Sequence, residues 1–298
     1  IRGSHFWDAR FPRLVDELQD LHAVRQTFSA HGGGHVTPLG DVVLEAMRRC
    51  KLGFWNSLLM VGALLFSGDD DATELEDVAT LASVLEETGG DHSLLWYDDA
   101  RAPEVIKKIG TKLHPTSEHL SILTLYAELN GSRRHTYVQD GIVSDGMLNK
   151  IARRVQDMMS GIQAMTRAKM KPIIESAKAM TPLVSSLARE TRIRGVVHKS
   201  VVFGRMFHAS VPRFLPGGGG GPSSPSYVAT TMYTLRPLSV KISDKTELLR
   251  GHACPMFMGS KKNGDWVLLH DTCMISAMGP KFRTVTYVPR SVIEKLSF

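Results

Sequence analysis

The spacing of apolar residues changes along this chain, and that change most constrains the fold. From Trp55 to about Ala188 the apolar residues recur every three or four positions, as in helices. After about Arg194 they form short β-branched or aromatic runs of strand length, namely Val201–Phe203, Tyr227–Thr230, Leu238–Ile242, Trp266–Leu269 and Phe282–Val288. The pattern predicts an α+β chain in which a helical bundle is followed by a small β unit.

Two helical segments carry most of the information in the bundle. The first is Ser117–Leu129, and the second is Leu148–Met159, which has a basic face. In the second segment the apolar side is formed by Ile151, Val155, Met158, Met159 and Ile162, which leaves Lys150, Arg153 and Arg154 on the other side or at its edge. This basic face is compatible with contact to a phosphate backbone and equally with an ordinary solvated surface.

The two ends of the chain predict smaller units. Near the N-terminus, Leu14, Leu18 and Leu21 have helical spacing, and a turn at Val36–Gly40 precedes a second helical run, so a small helix–turn–helix unit is expected. The C-terminal runs are separated by turn-rich segments, including the five glycines between Pro216 and Pro222. Five short strands with basic loops predict a small barrel, for which the oligonucleotide-binding (OB) fold is the natural candidate.

Charge divides the chain into two halves. Residues 1–130 contain 11 Lys and Arg against 20 Asp and Glu, whereas residues 131–298 contain 25 against 10. A polyanion such as RNA would be attracted to the C-terminal half and repelled by the acidic residues around Asp69–Asp71. The long apolar run Leu58–Phe66 is about half the length that a membrane span needs, so it predicts a buried helix and no membrane partner.

Motifs for metal or covalent chemistry are missing from the sequence. The three cysteines are far apart without CxxC spacing, which argues against a zinc ribbon and a disulfide framework and favours a reducing, intracellular location, with no indication of nucleus, cytoplasm or organelle. The segment His31–His35 has neither metal-ligand spacing nor the pattern of a phosphate loop. His92 and His119 lie beside carboxylates, but a hydrolase that uses them would also need a nucleophile, and the sequence has no GxSxG or HExxH motif.

The order of several local phrases resembles the C-terminal half of DEAH-box RNA helicases. The phrases are Val36–Gly40, Glu118–Leu123, Leu148–Met159, Val201–Phe207, Tyr227–Thr230 and Phe282–Thr286. The resemblance covers nearly the whole chain and implies three units: a winged-helix-like unit at 1–54, a ratchet-like helical bundle at 55–194 and a five-stranded OB-type β-barrel at 195–298. Three departures mark the chain as a divergent member. Glu45–Lys51 replaces the proline-rich phrase that normally follows the winged helix, Glu118 stands where aspartate is usual, and Ser243–Thr246 replaces a histidine-proline-serine-serine phrase.

The resemblance implies that the chain grips single-stranded RNA while separate motor lobes hydrolyse ATP. This sequence contains no GKT phosphate loop, no DEAH motif and no arginine finger, so no cofactor is expected in it; ATP and Mg would be bound by the motor lobes, and whether the chain belongs to an enzyme is left open. The alternative is a motor-less RNA-binding or scaffold protein in a ribonucleoprotein assembly. In the family the winged helix also binds glycine-rich activator proteins, which makes such a protein a possible partner.

Eight basic residues are predicted to contact RNA. Two lie on the Leu148–Met159 helix and the others on the predicted barrel: Arg153, Arg154, Arg205, Lys241, Lys245, Lys261, Lys262 and Arg283. On these elements basic side chains can follow phosphates while neighbouring Tyr or Phe rings stack on bases.

Overall fold

A computed structural model of the chain describes residues 36–68, 72–90, 92–97, 101–166, 170–206, 209–211, 226–231, 238–242, 266–276, 279–293 and 295. Its α-helices are α1 (Pro38–Cys50), α2 (Phe54–Phe66), α3 (Ala72–Thr88), α4 (Ala102–Ile109), α5 (Glu118–Asn130), α6 (Arg134–Gln139), α7 (Asp145–Thr166), α8 (Lys171–Met180), α9 (Pro182–Arg189), α10 (Gly195–Arg205) and α11 (Arg290–Ile293). Two 3₁₀ turns cover His92–Leu95 and Gly110–Lys112. The strands are β1 (Ala209–Val211), β2 (Ser226–Thr231), β3 (Leu238–Ile242), β4 (Trp266–Ser276) and β5 (Gly279–Pro289).

Helix α1 begins inside the segment that the sequence predicts as a turn. The Thr37 hydroxyl accepts a hydrogen bond from the Gly40 amide at 3.1 Å, and Pro38 occupies the first turn, where its missing N–H costs nothing. The helix then buries Val42, Val43 and Ala46, as its periodicity predicts. The rest of the predicted N-terminal unit, residues 1–35, lies outside the described residues.

Helices α2 and α10 form the centre of the core. The predicted buried helix at Leu58–Phe66 is confirmed, because α2 is buried along most of its length. It crosses α10 at two glycines: a Cβ at Gly62 would lie 2.9 Å from the Ser200 Cα, and one at Gly204 would lie 2.9 Å from the Leu59 Cδ2. The absence of side chains at these positions lets the two backbones approach closely.

Helix α3 ends at a pair of glycines. Gly89 and Gly90 have φ values of 59° and 76°, and the Gly90 amide donates to the Leu85 carbonyl at 3.1 Å. This left-handed closure is the usual way in which glycine ends a helix. Helix α7 packs against α3 and α1 with its apolar side.

The strands pair around a long hairpin. β4 and β5 are antiparallel over ten register pairs from Trp266↔Pro289 to Ser276↔Gly279. β1 pairs with β4 and with β2, and β2 pairs with β3, all antiparallel, while β3 is parallel to β5; each of these ladders has only two to four register pairs.

The predicted fold class is wrong. The described chain is mostly helical rather than α+β with a five-stranded OB-type barrel, and the substantial sheet is the two-stranded β4–β5 hairpin. One reason lies in the first predicted strand, Val201–Phe203, which belongs to α10. Val201, Val202 and Phe203 are fully buried in the helical core, and this tertiary packing overrides the β propensity of the valines.

The hairpin is attached to the N-terminal end of α5. The Tyr287 amide donates to the Thr116 carbonyl at 2.8 Å, and Ser117 forms an isolated antiparallel bridge with Thr286. The segment boundaries at 54 and 194 stay predictions, although α10, which opens the third predicted unit, packs against α2 of the second. In the described ranges no helix combines the length and apolar character of a membrane span.

Candidate nucleic-acid interface

Helix α7 has the amphipathic arrangement that the sequence predicts. Ile151, Val155, Met158 and Ile162 are buried, Met159 is half-buried, and Leu148 and Met165 extend the buried side of the helix in both directions. Arg153 is exposed on the outer side of the helix, and within the described residues it has no ion-pair partner. It is therefore placed to meet an external anion.

A single carboxylate on α3 fixes two of the α7 cations. The Glu87 side chain is only 4% exposed, and its two oxygens face Lys150 and Arg154, with Lys150 Nζ at 2.5 Å from Oε2 and Arg154 Nε bound to Oε1. Burial alone would raise the pKa of Glu87, but the hydrogen bonds from Lys150 and Arg154 outweigh it, so the pKa is lowered and the carboxylate stays charged. Two cations against one anion leave this site net positive.

A cation at the end of α1 extends the positive surface of α7. Lys51 is exposed in a left-handed conformation with φ 53°, and its carbonyl accepts from Arg154 Nη1 at 3.4 Å. Nearby, Cys50 Sγ lies 3.9 Å from the Met158 carbonyl, which places the end of α1 along α7. We call Lys51, Lys150, Arg153 and Arg154 the basic strip.

Sequence reasoning missed Lys51. The residue precedes the predicted boundary at 54, and nothing local shows that the end of α1 lies beside α7, about a hundred residues later in the chain. The neighbouring Arg48 and Arg49 are already bound by Glu45, whose pKa is lowered to about 2, chiefly by its hydrogen bond with Arg48. They contribute less free positive charge than Lys51.

Arg205 is not on the surface, which corrects its prediction as an RNA contact. Its side chain is fully buried; one terminal nitrogen lies 2.7 Å from Asp271 Oδ1, and the guanidinium donates to the Trp55 carbonyl and the Asn56 side-chain oxygen, both at 2.6 Å. The basic side chain therefore joins α10, α2 and β4 and is not accessible to a phosphate.

The other predicted contacts are placed only in part. Lys241 falls on β3 and Arg283 on β5, where it pairs in register with Thr272. Lys245, Lys261 and Lys262 lie outside the described residues. Of the eight predicted residues, the structure brings together Arg153 and Arg154, and these two belong to the basic strip.

A buried polar cluster joins the N-terminal end of α5 to the hairpin. The Thr286 hydroxyl lies 2.7 Å from Ser117 Oγ and 2.7 Å from His119 Nδ1, while His119 Nε2 lies 3.6 Å from Asp271 Oδ2. A hydroxyl, an imidazole and a carboxylate in this order are also found in acyl-transfer enzymes. Ser117, His119 and Thr286 are, however, fully buried, so in the described structure the cluster is closed to a substrate.

Glu118 belongs to the same cluster and is fully buried. Its Oε2 accepts a hydrogen bond from the Val285 amide at 2.8 Å, and burial raises the pKa of its carboxyl to about 8. The second histidine of the hydrolase hypothesis, His92, has its backbone in a 3₁₀ turn and its side chain outside the described residues.

A cavity of about 340 Å³ with basic side chains in its lining lies between α4 and α5. It is lined by Lys108, Lys112 and Arg133, together with Glu128, which lies 3.9 Å from Arg133. The carbonyl ends of both helices converge here, and cations at helix C-termini are favoured by the helix dipole. The two helix ends therefore explain the positive charge of this cavity.

Comparison with known proteins gives no family for this chain: no family model matches it, and no curated protein matches its sequence.

Proposed function

We propose that this chain is an RNA-binding module that holds single-stranded RNA along the basic strip. The observation that carries the proposal is that Arg154 donates to the Lys51 carbonyl at the end of α1. This bond places Lys51 near Lys150, Arg153 and Arg154 of α7, about a hundred residues later in the chain. Glu87 holds Lys150 and Arg154 in place through ion pairs. These two side chains would therefore lose less conformational entropy when they bind a phosphate.

The wider context of the proposal comes from the sequence. The excess of Lys and Arg over Asp and Glu after residue 130 favours a polyanionic partner. The resemblance to DEAH-box RNA helicases supports a place for the chain in a parent ATP-dependent helicase, with α7 in the position of the ratchet helix and motor lobes elsewhere. The motor-less scaffold remains the alternative, and it uses the same strip for the same partner.

The test reverses charge on the two cations of the strip that have no ion pair in the described structure. We expect Lys51→Glu with Arg153→Glu to lower affinity for a fluorescein-labelled single-stranded RNA by at least about ten-fold at low salt, and to reduce the slope of log K against log salt by about 1.4, or 0.7 per lost phosphate contact. Fluorescence polarisation from low to moderate salt measures both quantities. Arg154 and Lys150 are left intact because their loss would strand the buried Glu87.

The matched control places the same charge change on another helix. Lys107 and Lys108 on α4 are exposed and have no ion pair in the part of the chain described, so Lys107→Glu with Lys108→Glu alters net charge equally. This control should weaken binding only slightly. Equal losses in the two double variants would show that net charge and not the strip attracts RNA, and unchanged affinity in the strip variant would refute the proposal.

Experiments on the parent protein distinguish the helicase-module hypothesis from the scaffold hypothesis. A helicase module predicts that RNA stimulates ATP hydrolysis by the parent and that the strip variant reduces this stimulation in parallel with RNA affinity. A scaffold predicts RNA binding without RNA-stimulated hydrolysis.

A further inference from the structure

Tyr97 presents an aromatic ring to solvent at one end of the basic strip. Its side chain is 80% exposed, the largest value among the exposed large apolar side chains of the described chain, and its neighbour Trp96 is buried at 7%. An exposed tyrosine gains little from folding, because its ring keeps its contact with water. The ring is therefore free to contact a partner.

The backbone that carries Tyr97 is fixed to the segment before α7. The Tyr97 amide donates to the Ile142 carbonyl at 3.0 Å, and the Ser144 amide donates to the Leu95 carbonyl at 3.1 Å. Between these bonds Trp96 forms an antiparallel bridge with Val143. Because Trp96 and Val143 are both buried, these contacts hold the backbone of Tyr97 near the N-terminal end of α7.

The segment that carries Tyr97 follows directly after α3 in the chain. Glu87, near the C-terminal end of α3, binds Lys150 and Arg154, so α3 ends beside the first half of α7. From Gly89 and Gly90 the chain continues through the 3₁₀ turn, which packs on both α3 and α7, and reaches Tyr97 seven residues later. Tyr97 therefore lies near the N-terminal end of α7, in the segment that follows α3.

The spacing along α7 suits an extended strand. From Asp145, the first residue of the helix, Lys150 is about 7.5 Å along the axis and Arg154 about 13.5 Å, at 1.5 Å per residue. Lys51 lies beside Arg154. The order along the surface is thus one aromatic ring followed by successive cations, the combination with which proteins bind single strands by stacking bases and tracking phosphates.

We propose that Tyr97 stacks on a base of single-stranded RNA whose phosphates follow the basic strip, an inference that rests on the proposed function. Stacking on a tyrosine tolerates any base, so the site selects single strands over duplex and not one sequence over another.

The experiment separates base contact from phosphate contact. Tyr97→Ala should weaken binding of single-stranded RNA by about ten-fold, whereas Tyr97→Trp should retain affinity, since a larger ring stacks at least as well. On an abasic oligonucleotide of the same length, Tyr97→Ala should have no effect, while Lys51→Glu with Arg153→Glu should still weaken binding. The salt slope should not change in Tyr97→Ala, because no phosphate contact is lost.

A direct readout and a control complete the test. An RNA with 2-aminopurine should lose fluorescence on binding the native chain and keep it with Tyr97→Ala at saturating protein. Met180→Ala removes another exposed apolar side chain, 69% exposed on α8, and should leave binding and quenching unchanged. If Tyr97→Ala binds and quenches normally while the strip variant is weakened, stacking is refuted and the proposed function stands; if neither affects RNA binding, both fail.

Discussion

At the scale of single residues, the clearest consequence of burial is the protonation of Glu118. In the unfolded chain this carboxyl has an ordinary pKa of 4.5, and in the folded chain burial raises the pKa to about 8. Between these values the folded state binds one more proton than the unfolded state. Stability therefore falls as pH rises from about 4.5 to 8, by about 1.4 kcal/mol per pH unit.

Glu118→Gln should remove this dependence. The amide keeps an oxygen that can accept from the Val285 amide but has no proton to lose. We expect urea unfolding of the native chain to show decreasing stability between pH 7 and 8, and the variant to show a nearly flat profile. The range from pH 7 to 8 is chosen because two buried histidines change the stability only at lower pH. Burial lowers the pKa of His119 and of His198, the latter to about 4, so these histidines make stability rise with pH only up to about 6.5. Equal slopes for both proteins above pH 7 would contradict the prediction.

At the scale of elements, the contact of α2 with α10 depends on glycine. A Cβ at Gly204 would lie 2.9 Å from the Leu59 Cδ2 and 3.1 Å from the Leu59 backbone nitrogen. The side chain could move, but the backbone atom cannot without separating the helices. Gly204→Ala should therefore destabilise the chain by about 1–3 kcal/mol despite the better helix propensity of alanine.

Gly146 supplies the matched control for that substitution. It lies in the first turn of α7, and nothing comes within 4 Å of a Cβ built there. Gly146→Ala should be neutral or stabilise the chain by a few tenths of a kcal/mol, up to about 1. Chemical denaturation compares the two variants, and a Gly204→Ala protein as stable as Gly146→Ala would show that the helices separate at no cost.

The same elements show what sequence can and cannot predict. The buried side of α7 was predictable, because its apolar residues follow the helical repeat over five turns and the information is local. The local β propensity of Val201 and Val202 predicts a strand, whereas the α2 surface that holds them in a helix is about 140 residues away in sequence. Lys51 was missed, and Arg205 was placed on the surface, for the same reason: their partners are distant in sequence.

At the scale of the whole molecule, buried polar contacts make up much of the link between the hairpin and the helices. Arg205 of α10 meets Asp271 of β4, while Ser117, Glu118 and His119 at the start of α5 bind Thr286 and Val285 of β5. Such contacts depend on geometry and on matched charge more than apolar packing does. They favour one position of the hairpin on the helices, and loss of a single partner leaves a buried charge or an unsatisfied hydrogen bond.

The Arg205–Asp271 pair tests whether charge holds the hairpin in place. Asp271→Asn should destabilise the chain by about 3–5 kcal/mol, because it leaves the fully buried guanidinium without its carboxylate, and Arg205→Met should cost a similar amount. The double variant should be more stable than the sum of the single effects predicts, by more than about 1 kcal/mol in a urea-denaturation cycle.

The exposed pair Arg134–Asp145, with nitrogen and oxygen 2.7 Å apart, is the control, and Arg134→Met with Asp145→Asn should couple by less than about 1 kcal/mol. In Asp271→Asn the hairpin should be released first, so hydrogen exchange of β4 and β5 should increase before exchange of α2 does. If the effects were simply additive at both pairs, Arg205 and Asp271 would contribute independently to stability. Their charges would then not hold the hairpin in place.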